Sequence, residues 1–314
     1  MLTLRLLGRL LWIVLMDAAA LGSAADLFSK GSLAPGSPGL STGVTAANGA
    51  PAPPGCTLAE MGAPGGNALT LMGVAAQGSF RAADSFVVPL SQQWSIASVT
   101  VYAYQPGAVV ASPFAGATLR VWRGKPGEPG SVVVVGDATT NRLSIVTPAT
   151  MFRIASTLGS PAGIIDATRA LWKLTLTIPP VPLTAGVYWI DIGLLTVAPE
   201  QRGLVAAVVP ARPQARHEGA VQSGPGASGE AWMPVLDRRL APVDSPDAVG
   251  LSFLLRGSAA APCAGFDGLS ALLGAYGSTP ASPGWNPVCD IDGDGLVGLS
   301  DLSLLLAAFR VGCG

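Results

Sequence analysis

The stretch Leu171-Trp172-Lys173-Leu174-Thr175-Leu176-Thr177-Ile178 decides the fold class, because apolar residues occupy alternate positions along it. Successive side chains of a β-strand point to opposite faces of the sheet, so Trp172, Leu174, Leu176 and Ile178 share one face. The opposite face is mainly polar. This alternation predicts a strand that packs one face against a hydrophobic core.

Strand signals of the same kind occur on both sides of this stretch. Glycine- and proline-rich turns such as Gly124–Gly130 and Gly224–Gly226 separate them, and no helical pattern of comparable strength lies between them. The further predicted strands are Ser95–Tyr104, Ala117–Trp122, Val132–Val135 (as a buried strand), Gly186–Leu195 and Val249–Leu255. Many short strands with turns between them predict that residues 67–257 form a mainly β domain, an antiparallel β-sandwich or jelly roll.

The composition supports many turns and a substantial core. The 314 residues include 40 Gly and 27 Pro, 49% are apolar and 12% are charged. Lys and Arg number 18 against 19 Asp and Glu, which gives a formal net charge of −1. This low and balanced charge offers no electrostatic attraction for nucleic acid or anionic lipid, so neither is expected as a partner.

Residues 1–25 are typical of a secretory signal peptide. Two arginines precede an apolar run, Leu10 to Met16, and Ser23-Ala24-Ala25 is a small-residue cleavage pattern. An uncleaved membrane helix is the alternative, and Asp17 disfavours it because a carboxylate costs roughly 2.5–3.5 kcal/mol at the centre of a membrane helix. We therefore expect a mature chain that begins at Asp26, has no membrane span and is secreted to the extracellular space or the cell surface.

Residues 26–66 are rich in Gly, Ala, Pro and Ser, as in Ala34-Pro35-Gly36-Ser37-Pro38-Gly39. This composition is typical of flexible linkers, because it contains few large side chains to bury. The sequence predicts a low-complexity, flexible arm here, between the signal peptide and the β domain.

A twelve-residue acidic stretch, Asp290 to Asp301, carries the pattern of an EF-hand-type calcium loop. Calcium takes about six to eight oxygen ligands, which such a loop supplies from positions 1, 3, 5, 7, 9 and 12, with glycine at position 6 for the turn. Gly295 occupies that turn, Gly298 leaves position 9 to water, and Val297 is an apolar residue directed toward a core. A solvated acidic turn is the alternative, since Asp-Gly pairs are common in turns. The register favours Ca²⁺ held by Asp290, Asp292, Asp294, the Leu296 carbonyl and Asp301.

The segment after this loop repeats an earlier one at an offset of 33 residues, which relates Phe266 to Leu299 and Leu272 to Leu305. The other apolar positions of the repeat are Leu269, Leu273 and Tyr276 in the first copy and Leu302, Leu306 and Phe309 in the second. Their helical spacing predicts two helices that bury one apolar stripe against each other.

A tandem loop–helix pair with Asp at loop position 12 resembles a type I dockerin, the module that attaches secreted enzymes to cohesin-bearing scaffolds. The resemblance covers Pro262 to Gly314 and sets the predicted module at residues 258–314. The first loop would span Gly257 to Gly268, and its positions 1, 3 and 5 carry only Gly and Ala. The resemblance therefore implies a degenerate dockerin with one calcium site.

The same resemblance implies a partner for the module. The family contacts its partner through a Ser-Thr pair, which corresponds to Leu299-Ser300 here. The resemblance implies a cohesin-like protein as the partner, and the departure from the pair at Leu299 leaves a component of the cell surface as the alternative.

The chain has four cysteines, and an even number in an exported chain suggests disulfides. Two antiparallel helices, as in the resembled module, would bring Cys263 beside Cys313, and this pairing is favoured. Cys289 is then left to pair with Cys56 or to stay free. A zinc site is not expected, because no cysteine pair has C-x-x-C spacing and His217 is the only histidine.

The β domain carries no G-x-S-x-G or H-E-x-x-H motif. His217 lies in a Pro- and Ala-rich segment, where we expect a solvated loop residue. A glycosidase needs only two carboxylates about 5–9.5 Å apart, which a sequence does not exclude. Asp191 lies in a predicted strand, whereas the other candidate carboxylates, Asp84, Asp137, Asp166 and Asp237, lie in turn-like contexts.

Tryptophans of the β domain are candidates for a sugar-binding platform, because sugar faces stack on exposed aromatic rings. The five candidates are Trp94, Trp122, Trp172, Trp189 and Trp232. Trp172 and Trp189 follow the apolar alternation and are expected in the core. Trp232 is next to a glycine-rich turn and is the strongest candidate for exposure.

Two functions remain open from the sequence. The first is a secreted, non-catalytic binding or structural protein whose calcium-stabilised tail mediates attachment or assembly, with a polysaccharide as a candidate ligand. The alternative is a polysaccharide-degrading enzyme, such as a glycoside hydrolase, or its accessory subunit, carried on a cohesin-type scaffold. A cleft with paired carboxylates would favour the alternative.

Overall fold

A computed structural model describes residues 24–31, 40–62, 71–208, 219–226, 229–237, 247–260 and 266–311. These residues form a mainly β protein with two large sheets, one two-stranded sheet and two helices, α1 (Phe266–Ala275) and α2 (Leu299–Val311). The strands are β1 (Ala25–Lys30), β2 (Thr57–Met61), β3 (Gly73–Ala75), β4 (Arg81–Val88), β5 (Gln93–Tyr104), β6 (Phe114–Arg123), β7 (Val132–Asp137), β8 (Leu143–Ala155), β9 (Ala170–Thr177), β10 (Pro182–Leu183), β11 (Gly186–Thr196), β12 (Leu204–Val208), β13 (Val221–Gly226), β14 (Gly229–Pro234), β15 (Leu236–Asp237), β16 (Asp247–Ala248), β17 (Gly250–Leu251) and β18 (Phe253–Ala260).

The first sheet follows the order β1-β18-β5-β9-β8-β2, and the short strands β3, β10, β12 and β17 extend it. The long strand β5 lies at its centre, with Val101 opposite Phe253 of β18 and Leu174 of β9. The strand pairs are antiparallel except for β2 and β8, which run parallel with Thr57 opposite Met151. The first strand of the β region, β1, therefore lies next to the last strand, β18, in this sheet.

The second sheet follows the order β14-β13-β4-β11-β6-β7, and its strand pairs are antiparallel. Strand β11 lies between β4 and β6, and Asp191 is opposite Ala83 on one side and Arg120 on the other. A carboxylate thus stands in the interior of this sheet. The short strands β15 and β16 pair separately.

Side chains from both sheets form one hydrophobic cluster. Leu174 and Leu176 of β9 are fully buried in it, together with Ile190 and Ile192 of β11. Full burial of side chains of this size contributes about 1.5–3 kcal/mol each, so this cluster dominates the stability of the fold. The strand predicted at Leu171–Ile178 is confirmed, and its apolar face lies in the core.

The other predicted strands are also found, although Val249–Leu255 is divided between β17 and β18, and one prediction of burial is wrong. Val132 and Val133 are 52% and 40% exposed. They belong to β7, the last strand of the second sheet, which has a neighbour on one side only. A run of valines is therefore no guide to burial when the strand lies at a sheet edge.

The flexible arm predicted for residues 26–66 is wrong for the part that the structure describes. Strand β1 pairs with β18, and β2 pairs with β8. Leu58 is fully buried, and the buried Glu60 carboxylate accepts hydrogen bonds from the Thr157 amide at 2.9 Å and the Ala47 amide at 2.8 Å. These long-range contacts order a segment whose composition alone resembles a linker.

The predicted boundary between residues 257 and 258 falls inside β18, which continues to Ala260. The register shifts at Gly257, where a β-carbon would overlap the carbonyl oxygen of Ser95 on β5. The expected linker and the first copy of the calcium loop therefore begin in a strand. Small residues suit this position because the two backbones approach closely.

The predicted signal peptide lies almost wholly in residues 1–23, outside the described residues. Ala25, its last predicted residue, begins β1. Neither helix in the described part of the chain is long and apolar enough to cross a membrane.

Candidate metal centre

Three acidic side chains converge in the loop before α2. One carboxylate oxygen from each of Asp290, Asp292 and Asp294 lies within 4.8 Å of the others. Asp290 is buried and the other two are exposed, so the cluster stands at the rim of the helical unit. Like charges this close repel by about 1 kcal/mol per pair even in bulk water, and a divalent cation would remove that cost.

Backbone amides hold these carboxylates in place. Asp290 accepts hydrogen bonds from the amides of Gly293 at 3.0 Å and Gly295 at 3.1 Å. Asp292 accepts from the Asp294 amide at 3.0 Å, and Asp294 accepts from the Leu296 amide at 2.7 Å. Successive turns of this kind wrap the loop around its own carboxylates, with glycines at positive φ where the chain reverses.

Asp301, the predicted ligand at loop position 12, lies in a different environment. It is fully buried and accepts hydrogen bonds from the amides of Ile291 at 2.6 Å, Asp292 at 3.1 Å and Gly298 at 2.7 Å. It does not belong to the converging group of three. Its position in the first turn of α2 allows it to cap the helix while it ties the helix to the start of the loop.

The remaining predicted ligand, Leu296, is 44% exposed, and its amide donates to Asp294. Val297 is fully buried, as predicted for the apolar residue of the loop. Its amide donates to the Ser278 carbonyl at 3.0 Å, and its carbonyl accepts from the Gly277 amide at 2.8 Å. These two bonds attach the loop to the segment that follows α1.

The two helices share a small core. Leu272 and Leu305 occupy equivalent positions of the repeat and are both fully buried. The equivalent Ala275 and Ala308 are 3% and 9% exposed. The predicted stripe is wider than the face that is buried, because the equivalent residues Leu273 and Leu306 are 54% and 46% exposed. The two copies of the repeat therefore bury equivalent residues such as Leu272 and Leu305, and they leave other equivalent residues exposed to solvent.

The helical unit also contacts the β region. The Leu90 amide, in the turn between β4 and β5, donates to the Val288 carbonyl at 3.2 Å. The Leu90 side chain packs against the helical core. The helical unit that carries the acidic loop therefore contacts the β region directly, in addition to being joined to it along the chain.

Cys289 immediately precedes the loop and is fully buried in the helical core. Burial, assisted by the Asp301 carboxylate, raises the pKa of its thiol to about 11. Cys289 and Cys56 are both free, so the pairing considered between them does not form. The favoured Cys263–Cys313 disulfide lies outside the described residues.

The donor set suits calcium in its chemistry. The loop offers only oxygen ligands, as hard divalent cations prefer, and its three carboxylates supply the negative charge. The hydrogen bonds from backbone amides to Asp290, Asp292 and Asp294 leave each carboxylate able to accept more, since an ionised carboxylate has about four lone-pair sites. Asp290, Asp292 and Asp294 would hold the ion, and Leu296 and Asp301 stay as predicted ligands.

The candidate catalytic carboxylates of the β region are engaged in structural contacts. Asp191 is fully buried and accepts from Arg81 Nε at 2.7 Å, Arg120 Nε at 2.5 Å and Trp122 Nε1 at 2.9 Å. Asp84 pairs with Lys30 at 2.8 Å. Both carboxylates are therefore held in buried ion pairs within the sheets, which compensates their charge.

The three other candidate carboxylates, Asp137, Asp166 and Asp237, lie in different local environments. Asp137 accepts from the amides of Thr139 and Thr140 at 2.8 and 2.5 Å, which closes a turn and lowers the pKa of its carboxyl. Asp166 pairs with Arg169, and its hydrogen bond with Thr168 is the main cause that lowers its pKa. Asp237 is buried in β15. His217 lies outside the described residues.

The tryptophans divide as predicted for the core residues. Trp94, Trp172 and Trp189 are buried, at 4%, 7% and 1% exposure. Trp122 and Trp232 are half-buried and lie with Trp189 on one face of the second sheet. The guanidinium of Arg120 stacks over Trp122 at 4.9 Å from the ring centroid, so this face combines aromatic and cationic groups.

The sequence did not reveal the Arg81–Asp191–Arg120 arrangement. Arg81 and Asp191 are separated by 110 positions, and only the register of β4, β11 and β6 brings them together. The one available signal was a charge within an apolar strand, Asp191 in Trp189-Ile190-Asp191-Ile192. Comparison of the chain with family models, with curated proteins and with solved structures found no match in any of the three.

Proposed function

We propose that this chain is a secreted, non-catalytic binding or structural protein, built as a β-sandwich with a calcium-stabilised, dockerin-like tail for attachment or assembly. The convergence of the Asp290, Asp292 and Asp294 carboxylates within 4.8 Å carries this proposal. A bound Ca²⁺ would offset two of the three negative charges of the cluster and stiffen the loop that leads into α2. The shared core of the two large sheets supports the sandwich, because face-to-face packing is how antiparallel sheets bury their apolar faces.

The outer surface of the helical unit supports a role in attachment. Phe266 and Leu299 begin the two helices at equivalent positions and are 84% and 69% exposed. Leu273 and Leu306, one further equivalent pair, are also exposed. Exposed apolar residues that recur with an internal repeat suit docking to a protein partner, here a cohesin-like protein or a cell-surface component.

The alternative, a polysaccharide-degrading enzyme, has less support. Asp191, the carboxylate that the sequence placed in a strand, is buried between two arginines and a tryptophan. A general acid or nucleophile must reach its substrate, and a carboxylate locked in such a network does not. The half-buried Trp122 and Trp232 are the candidates for polysaccharide binding.

The proposal is tested by capture of the full mature chain on a glycan array and on cell-surface and cohesin fractions, with calcium or with a chelator. We expect capture that requires calcium and no release of sugar products. Asp292→Asn should weaken capture, whereas Asp267→Asn, an exposed acidic residue of α1 outside the cluster, should not. Equal capture with calcium and with chelator would count against a calcium-stabilised attachment role, and steady release of sugars would favour the enzyme.

A further inference from the structure

Lys30 and Asp84 form a buried pair that joins the two large sheets. Lys30 ends β1, an edge strand of the first sheet, and Asp84 lies within β4 in the second. The Lys30 Nζ is 2.8 Å from Asp84 Oδ1, and the side chains are 2% and 0% exposed. The two residues are 54 positions apart in the chain, so the contact closes a large loop.

A phenylalanine ring and a glycine pack closely around the pair, and Lys30 Nζ also donates to the Ser85 carbonyl at 3.4 Å. Lys30 Nζ lies 5.8 Å from the centroid of the Phe253 ring, which stacks on Phe28 at 5.3 Å. A β-carbon at Gly250 would stand 3.1 Å from Lys30 Cδ and 3.5 Å from Asp84 Oδ2. Little room remains for water, so the amine and the carboxyl are held together in a medium where charge is costly.

The Asp84 carboxyl is polarised by two backbone amides. Ser85 N–H donates to Oδ1 and Leu251 N–H donates to Oδ2, each at 2.7 Å. Burial raises the pKa of this carboxyl, against the opposing effect of Lys30. Burial thus favours the uncharged form of the Asp84 carboxyl.

We propose that Lys30 and Asp84 condense to an intramolecular amide that permanently links β1 to β4. In this step a proton passes from Nζ to Oδ1 of Asp84, and the lone pair left on Nζ attacks Cγ. The Leu251 amide donates to Oδ2, the oxygen that gains negative charge. The N–Cγ bond forms, the second proton moves from Nζ to the departing oxygen, and the C–O bond breaks to release water. An ammonium and a carboxylate become one amide and one water, so no further reactant is needed.

Two physical effects make this step favourable. The fixed contact converts the encounter of amine and carboxyl into an intramolecular step, for which effective molarities reach roughly 10⁵–10⁸ M. The product also replaces two buried charges by a neutral amide. The link would fasten the edge strand β1, which the described residues hold through one neighbouring strand only.

The test is the intact mass of the wild-type full mature chain, measured after denaturation and full reduction so that only non-disulfide links survive. We expect most of the protein to weigh one water molecule less than its sequence, and fragmentation to join the peptides that contain Lys30 and Asp84. Lys30→Arg keeps the charge but cannot form the amide, and should show the full mass. The Lys125–Glu128 pair, at 3.5 Å and with Glu128 exposed, is an internal control that should stay unlinked.

Most of the wild-type protein at the unmodified mass would overturn the proposal, as would loss of water mapped to other residues. This result is independent of calcium binding and of attachment, because the pair lies in the sheets and the calcium loop lies before α2.

Discussion

Asp301 accepts a hydrogen bond from the amide of Ile291 at 2.6 Å, across ten positions of the chain. The same carboxylate accepts from Gly298 through its other oxygen. One side chain in the first turn of α2 therefore closes the acidic loop at both ends. This closure explains how a loop with three converging carboxylates keeps its shape, and it gives Asp301 a role that does not depend on a metal.

Asp301→Ala should therefore destabilise the helical unit even in the presence of a chelator. The substitution removes a helix cap and leaves three partly buried amides without this acceptor, which costs about 1–3 kcal/mol. Amide hydrogen exchange over residues 290–311 should accelerate accordingly. Ser300→Ala, a change at the exposed neighbouring position, should leave it unchanged. Equal exchange in the two variants would contradict the capping role.

Asp191→Ala should destabilise the β region strongly. Arg81 and Arg120 would each lose their carboxylate partner, and breaking a buried ion pair from one side costs about 3–5 kcal/mol. Urea unfolding followed by tryptophan fluorescence measures the loss. Glu128→Ala removes a surface pair and should cost about 0–1 kcal/mol. A midpoint for Asp191→Ala equal to that of Glu128→Ala would show that the network contributes little.

Cys289 predicts a loss of stability at alkaline pH. Its folded-state pKa of about 11 exceeds the ordinary value of 9.0, so the folded state retains the thiol proton longer than the unfolded state. This contribution is complete below pH 9 and declines as the pH rises toward 11. Cys289→Ala should reduce the loss between those pH values, measured by helical circular dichroism in urea. An identical decline in the variant would refute the assignment.

The same burial predicts a low reactivity of Cys289. In the native protein at pH 8 an alkylating reagent should modify the half-buried Cys56 before Cys289, because the neutral, buried thiol is a poor nucleophile. Mass spectrometry of the labelled peptides gives the order. Faster labelling of Cys289 would show that the helical core opens readily.

Local patterns in the sequence were sufficient for the central strands and for the acidic loop. The alternation at Leu171–Ile178 predicts a strand with one buried face. The spacing of Asp290, Asp292 and Asp294 predicts a loop in which the carboxylates converge. In both cases the residues that specify the structure are neighbours in the chain. Periodicity and spacing are informative when the interactions are local.

Contacts between distant residues were not predictable in this way. Strand β4 mixes Arg81, Asp84 and Ser85 with apolar residues and is buried on both faces, so it shows no alternation. Its charges are balanced by Asp191 and Lys30, which lie far away in sequence. The ordering of residues 40–62 likewise depends on partners such as Thr157. Tertiary pairing overrides composition at these positions.

Calcium binding is the central claim, and titration calorimetry of the full mature chain tests it most directly. We predict one Ca²⁺ bound per chain with measurable heat, a rise in the melting temperature of the helical unit, and loss of both effects in Asp292→Asn. The Asp267→Asn variant should bind as the wild type does. If calcium produced no heat and no gain in thermal stability, the converging carboxylates would be a solvated acidic turn, and the attachment role built on them would be contradicted.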